Sequence, residues 1–189
     1  MTALTRYHPQ LSAIAEIARK ITIPVISNDR EAIVILAEIP SQRSIDWAES
    51  KEELLFSHQA ESDVRPESVF LILPNTLPSS PDGSISQEAA LSVYASGQLA
   101  TEELRAWLVN RVSQIVLVPP ANIDPDADWG RYGVDSAVLL ELVGCLEEHL
   151  DMRLPHELAE RRSISTLAEA IGSTMKEPAG LKEPPCDVD

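Results

Sequence analysis

The chain has 189 residues, enough for one large domain or two small ones, and its 44% apolar and 24% charged content is that of an ordinary globular protein. A formal net charge of −15 disfavours nucleic acid and anionic membranes as partners and favours partners with basic surfaces. Because aromatic residues make up only 4%, aliphatic side chains must form most of the core.

The sequence also argues against several other protein classes. Cys145 and Cys186 are too few and too far apart for a disulfide framework, and no Cys/His cluster has zinc-site spacing. The first 20 residues lack the basic start and apolar stretch of a signal peptide. No apolar run approaches the ~20 residues that span a membrane. We therefore expect a cytoplasmic protein without a metal site.

The first half of the chain predicts a small α+β domain, over residues 1–97. Four apolar residues at spacings of three and four predict an amphipathic helix over residues 9–21. Apolar and β-branched runs predict three strands, at residues 23–27, 31–39 and 68–73. Two further helices are expected, at residues 51–58 and 87–95, and Gly97 follows the second of them.

The second half predicts an all-α four-helix bundle over residues 98–175. Thr101 is expected to cap the first helix and Ser163 the last. A long loop, residues 121–135, separates the first two helices. The Pro-rich tail, residues 176–189, is expected to be disordered. The four helices are predicted at residues 101–117, 136–150, 155–161 and 166–175.

The segment Tyr132-Gly-Val-Asp-Ser136 stands directly before the second of these helices. With helices of the right spacing on both sides, it resembles the modification site of acyl carrier proteins from polyketide, fatty-acid and peptide assembly lines. The resemblance runs from about residue 101 to residue 175. It implies that Ser136 carries a 4′-phosphopantetheine arm derived from CoA, and that Asp135 helps to hold the metal-bound CoA of the modifying transferase.

The carrier resemblance also implies a function and a set of partners. The arm tethers acyl intermediates as thioesters, in polyketide, lipopeptide or specialised-lipid biosynthesis. The implied partners are a phosphopantetheinyl transferase, an acyl-AMP ligase or acyltransferase, and a ketosynthase or other assembly-line enzyme.

The surroundings of Ser136 argue against a catalytic serine. A serine hydroxyl needs a base to become nucleophilic, and His149 lies about 3.6 turns further along the helix. A Ser-His-Asp hydrolase is therefore a poor interpretation. The free N–H groups and dipole of a helix N-terminus instead stabilise a phosphate. The simpler alternative is that Ser136 only caps a helix.

The helix after Ser136 predicts a docking surface. From Tyr132 to Met152 five residues are acidic and none is Lys or Arg. Such a surface favours basic partner enzymes and is sensitive to salt, although an ordinary solvated helix face is the plainer alternative. The residues expected to dock partners are Ala137, Leu140, Glu141, Gly144, Glu147 and Glu148.

The first half resembles a known fragment as well. Tyr7-His-Pro-Gln10 leads into the first helix, and the loop from Leu73 to Ile85 resembles one that ends in Gly-Lys-Ile in fatty acyl-AMP ligases. Residues 5–99 are therefore similar to the small C-terminal subdomain of those ligases, in degenerate form. The large ATP-binding subdomain is missing, and Ser84 stands where the catalytic lysine is expected. A neutral serine cannot stabilise the charge that develops during adenylation, so we expect no enzymatic activity.

Three alternatives to an acyl carrier stay open. The first is a peptidyl carrier that holds aminoacyl thioesters. The second is an accessory subunit that completes an adenylating enzyme in trans, and the third is a scaffold that is never modified. The missing lysine argues against the second alternative, and the intact Ser136 argues against the third.

Overall fold

The computed structural model of the chain describes residues 19–27, 30–61, 64, 66–77, 79 and 85–176. Within these ranges it contains a three-stranded sheet and five α-helices. None of these helices combines the length and apolar character needed to cross a bilayer. The elements are β1 (Arg19–Ser27), β2 (Arg30–Glu38), α1 (Trp47–Glu61), β3 (Pro66–Ile72), α2 (Gln87–Ala95), α3 (Leu99–Val116), α4 (Ser136–Leu150) and α5 (Ile164–Lys176). Short 3-10 helices lie at Pro120–Asn122, Trp129–Tyr132 and His156–Glu160.

The sheet has the strand order β1-β2-β3. β1 pairs antiparallel with β2, with Ile23 opposite Val34, whereas β3 pairs parallel to β2 after the α1 crossover. Side chains alternate between the two faces, as strand geometry requires. Ile23, Val34 and Leu36 pack in a cluster with Ala90 of α2, while Ile35 and Ala37 belong to a second cluster that includes α1 and α3.

Helix α3 connects the sheet to the helices that follow. Its predicted apolar stripe is confirmed, since Leu104, Leu108 and Val112 are buried and Ile115 packs against the same cluster. That cluster runs without a break from the sheet into α4 and α5. The predicted boundary at residue 97 falls in the turn between α2 and α3. Where one domain ends along the chain is a separate question from how the side chains pack. The boundary therefore stays a prediction.

Several predicted elements differ from the structure. Ile21 belongs to β1 and not to a helix; the residues before Arg19 lie outside the described ranges. Helix α1 is longer than predicted, because Asp46 caps it through Oδ1, which accepts the N–H of Glu49 at 2.9 Å. Thr101 does not cap α3, which begins at Leu99 and has no side-chain cap bond. The third predicted helix of the bundle is a 3-10 turn, so three α-helices and that turn occupy the predicted positions.

The end of the chain agrees with the prediction in one respect. Ser163 caps α5, since its Oγ accepts the N–H of Thr166 at 3.3 Å. Lys176, predicted to open the disordered tail, is the last residue of α5. Residues 177–189 lie outside the described ranges, as do Cys186 and Ser84.

Candidate functional site

The loop before Ser136 is held by two aromatic side chains. The Trp129 ring is buried, its indole N–H donates to the carbonyl of Arg161, and its backbone N–H donates to Arg162 at 3.1 Å. The Tyr132 hydroxyl accepts the N–H of Asp124 at 2.6 Å. At its other end, the loop carbonyl of Pro125 accepts a bond from α5 at 2.9 Å. The loop predicted over residues 121–135 therefore has a defined path, which positions the start of α4.

A left-handed glycine turns the chain into α4. Gly133 has φ +68°, a conformation in which any other L-residue is strained. Its N–H donates to Gly130 at 3.2 Å, and that of Val134 donates to Trp129 at 3.2 Å. Val134 is buried behind this turn. Gly133 and Val134 of the motif thus have a structural role, because they bring Asp135 to the N-cap position of α4.

Asp135 is the N-cap of α4. Its Oδ1 accepts the N–H groups of both Ala137 and Val138, each at 3.0 Å, and its carbonyl accepts that of Leu139 at 2.9 Å. The sequence predicts free N–H groups here for a phosphate. Two of them are instead satisfied by Asp135, so the stabilisation available to a phosphate comes mainly from the helix dipole.

Ser136 is exposed at the first position of α4. Within the described residues, its hydroxyl has no hydrogen-bond partner. His149 lies at the other end of the helix, stacked on Trp107 with 4.6 Å between ring centroids and 18° between planes. An exposed hydroxyl that is unpaired within the described residues fits a covalently attached phosphopantetheine arm. It does not fit an activated nucleophile.

Cys145 and His149 belong to a cleft on another side of α4. The cleft has a volume of about 400 Å³ and lies between Trp47 of α1, Trp107 of α3, and α4. Arg111 contacts Cys145, with Nη2 3.2 Å from Sγ. Burial lowers the pKa of His149, and the charge of nearby Lys51 lowers it further. Within the described residues, no group of acidic, His and Cys side chains is arranged to hold a metal ion.

Most of the predicted docking residues are open to partners. Ala137, Glu141 and Glu148 are exposed, and Leu140 is an exposed apolar side chain at 61%. Gly144 is half-buried, with open space where a side chain would extend. Helical geometry places Leu140 one turn after Ser136. Their role in docking stays a prediction.

Glu147 differs from the other predicted docking residues because its carboxylate is engaged within the chain. Its Oε1 accepts the N–H of Leu154 at 2.9 Å, and Oε2 lies 2.9 Å from Nη1 of Arg153. The bond from Leu154 is the largest cause that lowers the pKa of Glu147; burial opposes it, and Arg153 lowers the pKa further. Glu147 therefore fastens the chain as it reverses after the left-handed Asp151.

Residues 106–171 match the family model for the phosphopantetheine attachment site. This part of the chain is a phosphopantetheine-binding carrier domain, and its cofactor is covalently attached 4′-phosphopantetheine. The carrier class predicted from the motif is therefore confirmed.

The individual relatives of the chain include two polyketide synthases and a peptidyl carrier protein. The chain is 30% identical over 142 residues to the polyketide synthase ThaG of Burkholderia thailandensis, over 75% of this chain and 2% of the relative. It is 37% identical over 59 residues to the reducing polyketide synthase hmp8 of Hypomyces subiculosus, over 31% of this chain and 2% of the relative. A free-standing peptidyl carrier protein from Acinetobacter baumannii is 31% identical, with 40% of this chain and 96% of that chain covered and a TM-score of 0.38. The chain thus spans about 2% of the length of the curated relatives it matches.

Substitution separates the capping role of Asp135 from the role in holding CoA that the sequence predicts. Asn caps helices as well as Asp does, so Asp135→Asn should leave the unfolding free energy nearly unchanged, whereas Asp135→Ala should lose about 1 kcal/mol. If the carboxylate also holds the metal-bound CoA, both variants should be modified far more slowly than wild type. Chemical denaturation and initial modification rates test the two effects. A normal rate for Asp135→Asn would leave the carboxylate with the capping role alone.

Proposed function

We propose that the chain is an acyl carrier protein, which tethers acyl intermediates as thioesters in polyketide, lipopeptide or specialised-lipid biosynthesis. The observation that carries this proposal is the exposed, unpaired hydroxyl of Ser136 at the start of α4, inside the matched carrier domain. When bound, the phosphopantetheine arm supplies a terminal thiol that forms the thioester. The described residues of the chain provide the attachment point and its orientation.

Each residue around the attachment point has a separate task in this proposal. Trp129 and Gly133 fix the direction in which α4 begins, and Asp135 keeps its first turn intact. Leu140 offers a partner enzyme an apolar contact, and the exposed acidic side chains Glu141 and Glu148 lie on the same helix. Apolar centres with charged rims are typical of protein interfaces. The net charge of −15 agrees with partners whose docking surfaces are basic.

The residues before 98 serve recognition or positioning in this proposal, as a degenerate adenylation-type subdomain. Activation of the acyl group then takes place on a separate ligase. We expect no ATP–pyrophosphate exchange by this chain alone, because Ser84 stands in place of the catalytic lysine. Exchange with any fatty acid would contradict the assignment and favour an adenylating subunit.

Loading of the modified protein tests the proposed function. Phosphopantetheinylated protein is incubated with ATP and either a fatty acyl-AMP ligase and its acids or an amino-acid-adenylating enzyme and its amino acids. Intact mass before and after hydroxylamine reports the thioester, and Ser136→Ala is the control. Acyl loading supports the proposal. Loading with amino acids alone would identify a peptidyl carrier, and loading with neither would contradict a carrier function.

Charge reversal on α4 should weaken docking far more than it weakens the fold. Exposed charges contribute at most ~1 kcal/mol each to stability, so the double variant Glu141→Lys/Glu148→Lys should unfold nearly as wild type does. Its modification efficiency, measured as kcat/KM of the transferase at low salt, should fall by about tenfold or more and recover partly as salt weakens the repulsion.

The matched control for this prediction lies outside the carrier domain. Glu52→Lys/Glu88→Lys changes the net charge equally, at exposed positions of α1 and α2. Equal efficiency for wild type and the α4 variant would show that α4 is an ordinary solvated face. An equal loss in both double variants would show that net charge alone steers the encounter.

A further inference from the structure

Helix α3 is joined to the chain before it by a buried pair of hydrogen bonds. Asn110 is 4% exposed. Its Oδ1 accepts the N–H of Ile45 at 2.8 Å, and its Nδ2 donates to the carbonyl of Ile45 at 3.0 Å. Gln114, one turn later, donates to the same carbonyl at 3.3 Å. The side chain of Asn110 thus satisfies both backbone groups of a buried residue that lies 65 positions away.

Two further anchors lie on either side of Asn110. Near the start of α3, Glu103 accepts the N–H of Leu71 in β3 at 3.2 Å and lies 2.6 Å from Nζ of Lys51. Beyond its end, the N–H of Ala121 donates to Ser41 at 2.7 Å. Glu103 and Asn110 are about 10 Å apart along the helix, at 1.5 Å per residue. Anchors spread along a helix in this way oppose both sliding and rotation.

The apolar contacts between the same elements resemble those of a protein core. Leu54 of α1 and Leu71 of β3 lie in one cluster with Leu108 and Val112 of α3. All four side chains are almost fully buried. Contacts between mobile domains of one chain are usually more polar than this, and small and polar interfaces permit relative motion. The interface between α3 and the elements α1 and β3 is therefore that expected of two parts of a chain that do not move relative to each other.

We infer that the described residues among 19–97, here called the N-terminal module, hold the carrier domain in one fixed orientation through α3. The fixed orientation is argued from the contacts alone. Only its consequence for partner enzymes rests on the proposed carrier function. The face of α3 that contacts the module is closed to partners, so a partner enzyme approaches from the side of α4. Such a partner meets Ser136 and the module in a constant arrangement, and its docking surface must be basic and must accommodate the module.

Nuclear magnetic resonance on the full chain, without the phosphopantetheine arm, tests the orientation directly. Residual dipolar couplings from the module and from the carrier domain should fit one common alignment tensor, and 15N relaxation should give one tumbling time for both. Two different tensors, or faster tumbling of the carrier domain, would overturn the inference. Because the protein is unmodified, this result is independent of whether Ser136 carries a cofactor.

Asn110→Ala tests the central anchor, with Asn122→Ala at an exposed position as the matched control. Losing Asn110 leaves the N–H of Ile45 unpaired and its carbonyl with Gln114 alone, so the population in which the module and the carrier domain are apart should rise by roughly tenfold or more. The expected readouts are a poorer fit to a single tensor and faster proteolysis near Gly97, with neither change in Asn122→Ala. Unchanged couplings and proteolysis in Asn110→Ala would exclude Asn110 as an anchor. If Asn110→Ala does not fold, Glu103→Ala provides the same comparison at a partly exposed position.

Discussion

Replacing Ser136 with alanine is expected to abolish attachment of phosphopantetheine while leaving the fold intact. The hydroxyl is exposed at the first position of α4 and bonds to none of the described residues, so its removal leaves no buried group unpaired. The cap of α4 is provided by Asp135 and is unaffected. Intact mass after incubation with CoA and a broad-specificity phosphopantetheinyl transferase should show one adduct in wild type and none in the variant.

The control for this experiment is Ser173→Ala, which removes an exposed serine from α5. It should be modified at the wild-type rate. Circular dichroism should give the same helical content for both variants and the wild type. An adduct that persists in Ser136→Ala would place the attachment point elsewhere, and it would also remove the basis for the proposed carrier site.

A methyl group should have opposite effects at two helical glycines of the carrier domain. At Gly172 a Cβ atom would lie 2.3 Å from Oγ1 and 3.3 Å from Cβ of Thr101, where α5 meets α3. Rotation of the Thr101 side chain cannot remove the crowding completely, because its Cβ itself lies within 3.3 Å. We expect Gly172→Ala to lower the free energy of unfolding by about 1–3 kcal/mol, as overpacking does.

Gly144→Ala is the matched comparison, since no atom lies within 4 Å of a Cβ placed there. It should raise the free energy of unfolding by about 0.5–1 kcal/mol, because alanine favours the helix more than glycine does. Urea unfolding followed by circular dichroism measures both effects. Adding Thr101→Ala to Gly172→Ala should restore part of the loss. Equal stability of the two glycine variants would contradict the close approach of α3 and α5.

The elements that the sequence predicted best are those determined by nearby residues. The bounds of α2 and α4 agree with the structure, because each combines an apolar pattern with a local cap, at Ser86 and Asp135. The predicted start of α3 was wrong. Thr101 is a good capping residue by type, but in the folded chain it packs against Gly172. A contact between residues so far apart in sequence leaves no local pattern.

In the candidate site, too, features determined by nearby residues were predicted, and those determined by distant residues were not. Ser136 and Asp135 follow from five consecutive residues, and the structure adds that Asp135 occupies two N–H groups of the helix. The structural roles of Glu147 and Asn110 were not predicted, because their partners lie 7 and 65 residues away. The sequence shows only an acidic residue on a helix and an asparagine within an apolar stripe. Neither pattern indicates which distant backbone group the side chain binds.

The contacts between α3 and the residues before it also bear on how the chain would tolerate recombination with other carrier domains. A chimera joined at Gly97 would keep the carrier sequence intact but place the face of Asn110 and Leu108 against a foreign surface. The amide of Asn110 would then lose both backbone partners, at a cost of about 1–3 kcal/mol if it stayed buried. The unit that transfers without this loss is the carrier together with its module, with the crossover placed before β1.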